Sequence, residues 1–518
     1  MCFYSIYYSS SHRKDSPMRK RFEQHNQLDA DLIPDIEIDG KSRHSLPKLL
    51  AGLQYIFVTP TVNEAVFEVL EQKILGGKQA TGRLGMSLWE ILVLGSIRLN
   101  LDYDYDSLYD LSNQHMAVRG ILGVHTRQVF SKGKYYPVQT IKDNISLLDE
   151  ATLAQISELV VKAGHQLKKN ELESAGQAPG DFELSLKSDS YAVESNIHFP
   201  TDLNLLFDSG RKCLDVIAAT MKGVDLSGWR KLKYLRRKFK RSYRSTADIH
   251  HRKGSGYQER LAEATKAYLA EGERLNERVE KSLREMEQLP LSIQLMAAMT
   301  SLTYYQGMLV KHLDLVDRRI LKGEKIPHQE KVFSIFEPHV EWIQKGKHGK
   351  KVELGHNTLV TTDQYHFIVD HKVMIGQQDA HQPIELSERL STRFAENYAL
   401  KSISFDRGFY SLLAKQNLQK TFAQVVMPKK GKKTARQQEE EEDKTFVTLR
   451  KAHSAVESNI NELEHSGVNK VPDKGLTAFK KYVALGVLAY NIKRLGAIVI
   501  EQNLLTTITR PTNRRKAA

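Results

Sequence analysis

The chain has 518 residues, 41% of them apolar and 27% charged, enough for two or three domains with substantial cores and too apolar for a disordered polymer. Lys and Arg number 76 against 62 Asp and Glu, a formal charge of +14 with a pI near 9.3, so a polyanionic partner, nucleic acid first, is favoured. The two cysteines, Cys2 and Cys213, exclude a disulfide framework and fit a reducing cytoplasm.

Residues 1–45 are polar and mixed in charge and read as a leader with little fixed structure. Met1 to Met18 lack the basic start and apolar run of a secretory signal, and Met18 is an alternative start. From 46 to 175 helical periodicity dominates, as expected for a helical amino-terminal domain. Ser87 with Glu90 three residues on is a capping-box pattern just ahead of Ile91, Leu92, Val93 and Leu94, so a helix is expected to begin there.

Residues 176–218 change character. Phe182 to Asp189 alternates apolar and polar residues, the period of a half-buried strand, and places Asp189 at or near its carboxyl end. Leu205, Leu206 and Phe207 read as a further strand, with Asp208-Ser209-Gly210 as a hairpin-like turn. Residues 219–330 read as a charged, almost wholly helical insertion. Within it, Trp229 to Arg244 carries nine basic residues among aromatics and leucines. Arg230, Lys231, Lys233, Arg236, Arg237, Lys238, Lys240 and Arg241 are candidates for DNA phosphate contacts, against the plainer reading of a solvated helix face. Leu261 to Met286 reads as a helical spacer.

Strand-like runs return in 331–505, at Thr358 to Thr361 and Tyr365 to Val369. Lys401 to Phe405 is a short strand closed by Asp406, with Gly408 as the turn former. The 217 residues from Asp189 to Asp406 are too many for an uninterrupted small sheet, hence the expected insertion. Lys429-Lys430-Gly431-Lys432-Lys433 ahead of Glu439 to Asp443 reads as an exposed, mobile loop. Lys429, Lys430 and Arg407 are further candidates for DNA contact. Val456, Ile460 and Leu463 recur at helical spacing and put Glu457 on a helix. Tyr482 to Ile500 is apolar but interrupted by Asn491, Lys493 and Arg494, which suits a buried helix better than a membrane span. Residues 506–518 form a basic tail.

Asp189, Asp406 and Glu457 are the candidate metal-binding carboxylates. Phosphoryl transfer needs an activated oxygen, a stabilised leaving oxygen and charge neutralisation at phosphorus, which two divalent ions roughly 3.5 to 4 Å apart can supply. Such hard ions take carboxylates, and no Cys or His cluster has the spacing of a zinc site. Residue pattern alone leaves Asp370 and Asp379 open as rivals to Asp406, and Glu462 and Glu464 as rivals to Glu457.

The run from Lys187-Ser188-Asp189 through Asn196-Ile197-His198-Phe199-Pro200-Thr201-Asp202 resembles the first-acid block of bacterial insertion-sequence DDE transposases. Asp406-Arg407-Gly408-Phe409 resembles their second-acid block and Val456-Glu457-Ser458 their third, while Met86 to Gly95 resembles their amino-terminal helical region. The likeness spans roughly residues 85 to 500. It implies an α/β fold: an RNase H-like mixed sheet flanked by helices, formed by 176–218 with 331–505, plus a helical amino-terminal domain and a helical insertion. It also implies Asp189, Asp406 and Glu457 as catalytic ligands of Mg²⁺ or Mn²⁺, two ions in one site, and double-stranded DNA as transposon end and target. A homodimer or larger assembly in the bacterial cytoplasm, on the nucleoid, follows from the same resemblance. Arg450, His453 and Glu464 stand where related transposases carry Tyr, Arg and Lys, leaving Lys451 or Lys470 to replace the missing base. A DNA-binding regulator derived from a transposase, and an RNase H-like nuclease that cuts without joining, are the alternatives.

Overall fold

Helices of the amino-terminal third pack on faces that their leucine spacing marks out. In the computed structural model of the protein, residues 19–23, 32–76, 85–124, 134–176, 182–252, 254–344 and 352–509 are described, 504–509 by backbone alone. Most of the expected leader and of the basic tail lies outside the described residues. The end of the leader is nonetheless fixed. Ile33 is buried, and the Gln54 side chain donates to the carbonyls of Ile33 and Ile36.

Among the described residues, seven α-helices precede the first strand: α1 (Ser45–Val58), α2 (Pro60–Ile74), α3 (Leu88–Asn100), α4 (Tyr105–Gln114), α5 (Met116–Ile121), α6 (Val138–Ile145) and α7 (Glu150–Ser174). Ser87 caps α3 in a complete capping box with Glu90, as expected, and every residue of α3 is buried. Strand β1 (Glu183–Ser195) follows.

The chain then enters a separate compact unit, Ile197–Trp342. It consists mainly of α8 (Asp202–Thr220), α9 (Leu232–His251), α10 (Tyr257–Glu287) and α11 (Ile293–Val316). Each of these packs on the next and α11 packs back on α8, giving a four-helix arrangement. The run Leu205 to Gly210, expected as a strand and hairpin turn, lies inside α8. Thr201 and Asn204 cap that helix reciprocally, and Leu203, Leu206, Cys213, Leu214 and Ile217 recur on one helical face in the core. Gly210 is needed there because a Cβ would meet the Phe239 ring at 2.4 Å. Packing has overridden a local turn signal. The compact unit therefore takes in residues on both sides of 219–330, including pieces that the sequence reading assigned to the catalytic sheet. Cys213 is a buried core thiol, pushed up to about 12 by burial, and is chemically inert.

Returning to the first unit, the chain adds β2 (Glu341–Gln344), β3 (Val352–Thr362), β4 (Ile368–Val373), α12 (Gln382–Phe394), β5 (Ala399–Phe405), α13 (Leu412–Leu418), β6 (Gln424–Val426), α14 (Ala435–Glu442), α15 (Lys444–Ala452), α16 (Ser454–Leu463), β7 (Lys470–Val471) and α17 (Leu476–Thr509). The sheet is mixed and seven-stranded, in the order β2-β3-β1-β5-β6, with β4 also on β3 and β7 also on β1. β3 is antiparallel to β1 and to β4, while β5 and β7 are parallel to β1 and β6 is parallel to β5. The expected strand Tyr365 to Val369 starts only at Ile368. Asp363 accepts from the backbone N–H groups of Tyr365 and Phe367 and turns the chain there.

Of the charge blocks after β6, Lys430 to Lys433 lie in an exposed, non-helical stretch, as expected, whereas Glu439 to Glu442 belong to helix α14, which Thr434 and Gln437 cap reciprocally. Lys433 pairs with Glu441 at 2.6 Å, and Glu441 also accepts from the Lys429 N–H. Glu440 pairs with Lys415. Among the described residues, one helix, Leu476–Asn503, is long and apolar enough to cross a membrane, and 78% of its most apolar window is buried. It packs against α1, α7 and α3 as a core helix. Gly52 and Gly496 let α1 and α17 touch backbone to backbone, since a Cβ on Gly496 would sit 1.8 Å from the Lys48 carbonyl oxygen.

Candidate functional site

Asp189 lies in the middle of β1, seven residues into a thirteen-residue strand, and not at its carboxyl end. What ends beside Asp189 is the neighbouring strand. β5 pairs with β1 up to Ser188↔Phe405, and β7 takes over on the same edge only at Glu194↔Lys470. Asp189 is thus the first residue of an edge stretch left open between two parallel partners. Asp406 leaves β5 at the same level and starts the 3-10 turn Arg407–Phe409. Since hydrogen-bonded strands run about 4.8 Å apart, the register sets Asp189 and Asp406 side by side.

The rival Asp370 is settled by register. The rows Ser188↔Thr361↔Asp370 and Asp189↔Val360↔His371 alternate across the sheet, so Asp370 belongs to the face opposite Asp189. The Ser188 and Thr361 hydroxyls, 2.9 Å apart, mark that opposite face. Asp370 is buried there and paired with Arg389 at 2.6 Å and Arg393 at 2.8 Å.

The other rival, Asp379, joins the candidate site instead of competing for a place in it. It begins a 3-10 turn after β4, and the Ser190 hydroxyl donates to its Oδ1 at 2.9 Å. Its Oδ2 lies 3.6 Å from where a Cβ on Gly408 would stand. Residue pattern gave no sign of this, because a tertiary contact of two turns brings Asp379 in. Glu457 projects from α16, which packs on β1 and β3 through buried Val456, Ile460 and Leu463, and its side chain is exposed.

The electrostatics tie the four acids together. Burial pushes the Asp189 carboxyl up to about 6; a hydrogen bond from the Ser190 N–H opposes the shift, and the charges of Asp406, Asp379 and Glu457 add to it. Asp379 is raised too, by burial first and then by Asp406, against the Ser190 bond. Among the described residues, none of the four acids is in an ion pair. His453, at the position that departs from the transposase pattern, bonds through Nδ1 to the Ser404 hydroxyl at 3.0 Å, and its Nε2 is buried with no hydrogen-bond partner. Burial lowers its pKa, opposed by Asp406 and reinforced by Lys187.

No three Asp, Glu, His or Cys side chains among the described residues stand close enough to hold one ion together. The donor set nevertheless fits a hard divalent cation: all-oxygen, drawn from two strands, a turn and a helix, and self-repelling without positive charge. Of the DNA-contact candidates, Arg407 is exposed in the turn after Asp406 and Lys430 is exposed, whereas Lys429 is tied by its Nζ to Gln437. Arg230 and Lys231 are exposed just ahead of α9, and Lys233, Arg236, Arg237, Lys238, Lys240 and Arg241 are exposed on it. Compared with protein-family models, with curated proteins and with solved structures, the chain matches none of them.

Proposed function

We propose that the chain is a DDE transposase that cleaves DNA at transposon ends and transfers the freed strand into target DNA. One observation carries the reading: Asp189 and Asp406 stand side by side where β5 parts from β1, with Asp379 and Glu457 in electrostatic reach and, among the described residues, no cation paired to any of them. The strand order β4-β3-β1-β5-β6, with β3 antiparallel to both neighbours, supports an RNase H-like sheet. The net charge of +14 supports a nucleic-acid substrate.

Asp189 and Asp406 would hold Mg²⁺ or Mn²⁺ from the two strands, and Glu457 would complete the set from α16. The ions, when bound, supply Lewis-acid activation of oxygen and charge neutralisation at phosphorus. The protein's own part is positional. β1 and β5 fix the two aspartates through backbone pairing, and Ser190, from the alternate face of β1, anchors Asp379 within electrostatic reach of them. Asp189 must be ionised to serve, and a nearby positive charge favours that form.

The test uses duplex DNA carrying the sequences that flank the reading frame. The chain nicks it in Mg²⁺, and Asp406→Asn abolishes nicking while retaining duplex binding; normal nicking by the variant would sink the assignment. A DNA-binding regulator without chemistry is the second reading. Mg²⁺-dependent nicking by the unaltered chain would exclude it.

A further inference from the structure

Helix α9 divides its basic residues into two groups. Arg236 and Lys238 are engaged within the bundle, with Asp215 at 2.5 Å and Glu271 at 2.7 Å. Lys233, Arg237, Lys240, Arg241 and Arg244 are exposed and have no ion pair or hydrogen bond among the described residues. At 3.6 residues per turn these five fall within an arc of about 100° and run about 17 Å along the helix. The opposite face is fixed in the bundle. Phe239 and Thr246 are buried, the Thr246 hydroxyl donates to the Ala264 carbonyl, and Phe207 stacks on Tyr243. Just ahead of the helix, buried Trp229 donates to the Ser282 hydroxyl at 2.7 Å. The cations are therefore presented on a rigid element, and part of their ordering cost is met in folding.

The chemistry of the exposed face is that of phosphate contact. Lys and Arg neutralise phosphates whatever the base sequence, and such contacts position a duplex. We propose that the five-residue stripe of α9 is a docking surface for the sugar–phosphate backbone of double-stranded DNA. This rests on the DNA-acting reading above and deepens it. It narrows the run of basic residues around α9 to those left unpaired, adds Arg244 and sets Arg236 and Lys238 aside.

The full chain is tested in chelator, so that binding is read without cleavage, by fluorescence anisotropy on a duplex of arbitrary sequence across a salt series. Each lost phosphate contact flattens the slope of log affinity against log salt by about 0.9. Replacing all five stripe residues by Ala is expected to flatten it by about 4.5. Arg236→Ala with Lys238→Ala is expected to change it by less than about 1, and a variant with Arg237, Arg241 and Arg244 changed to Lys is expected to keep it, which controls for folding. An unchanged slope in the five-residue variant, beside wild-type binding, overturns the stripe and leaves the carboxylate site standing. Loss of binding to anionic phospholipid vesicles in that variant, with duplex binding intact, overturns it in favour of a membrane surface. A wild-type chain with no duplex affinity overturns both the stripe and the DNA-acting reading, whereas Asp406→Asn that still nicks overturns only the assignment of the carboxylates.

Discussion

Two groups of acids sit on one sheet of this protein and have opposite surroundings. Asp370 and Asp363 are almost fully buried and answered: Asp370 by Arg389 and Arg393, Asp363 by His165 at 2.6 Å and by backbone N–H groups. Asp189 and Asp379 are half-buried, Asp406 and Glu457 are exposed, and none of the four is in an ion pair among the described residues. Burial and neutralisation therefore both separate the two groups. A buried charge with its partners in place is part of the fold. A cluster of like charges persists only if something outside the chain completes it, which is why strained electrostatics mark candidate sites.

The largest effect is expected at the answered acids. Asp370→Ala leaves two partly buried arginines without their common partner, and a loss of about 3 kcal/mol of folding stability is expected, read from the midpoint of denaturant unfolding. A loss below about 1 kcal/mol would mean that Asp370 is not neutralised as described and would erase the contrast.

A smaller effect of opposite sign is expected at Asp189. Its folded carboxyl is held at about 6 against an ordinary 3.8, so the native state binds the proton more tightly than the unfolded chain does. That contribution is complete below about pH 4 and is lost as pH rises through about 6. In chelator, Asp189→Asn should match wild type near pH 4 and exceed it by about 1–2 kcal/mol at pH 7.5, the half-buried position tempering the full shift. A variant less stable than wild type at pH 7.5 would show that Asp189 is satisfied by the protein itself.

Much of this was legible in the residues. The alternation through Phe182 to Asp189, the break at Asp406, the helical spacing around Glu457 and the Ser87 cap are local signals, and each element formed where its signal lay. The rest depends on contacts that are distant in sequence. Asp189 sits in mid-strand because the site is made by where β5 stops, which no residue of β1 encodes. Asp379 arrives through Ser190 and the turn at Gly408, although by pattern it only rivalled Asp406. Leu205 to Gly210 became helix because packing on Phe239 outweighed the turn propensity of Asp-Ser-Gly. The acidic block became the end of α14, capped by Thr434 and Gln437, while the lysine block stayed an exposed stretch tied to it through Lys433 and Glu441. The unpaired stripe of α9 could not be sorted from its neighbours until Asp215 and Glu271 were seen to engage Arg236 and Lys238.

The central claim is that the unanswered acids form a divalent-cation site. Titrating the full chain with Mn²⁺ at pH 7.5, read by the ion's paramagnetic resonance, tests it most directly. Wild type is expected to bind, with Asp189→Asn and Asp406→Asn each losing at least about tenfold in affinity, in line with removal of a charged ligand. Wild type that binds no Mn²⁺, or variants that bind it as well as wild type, would contradict the claim.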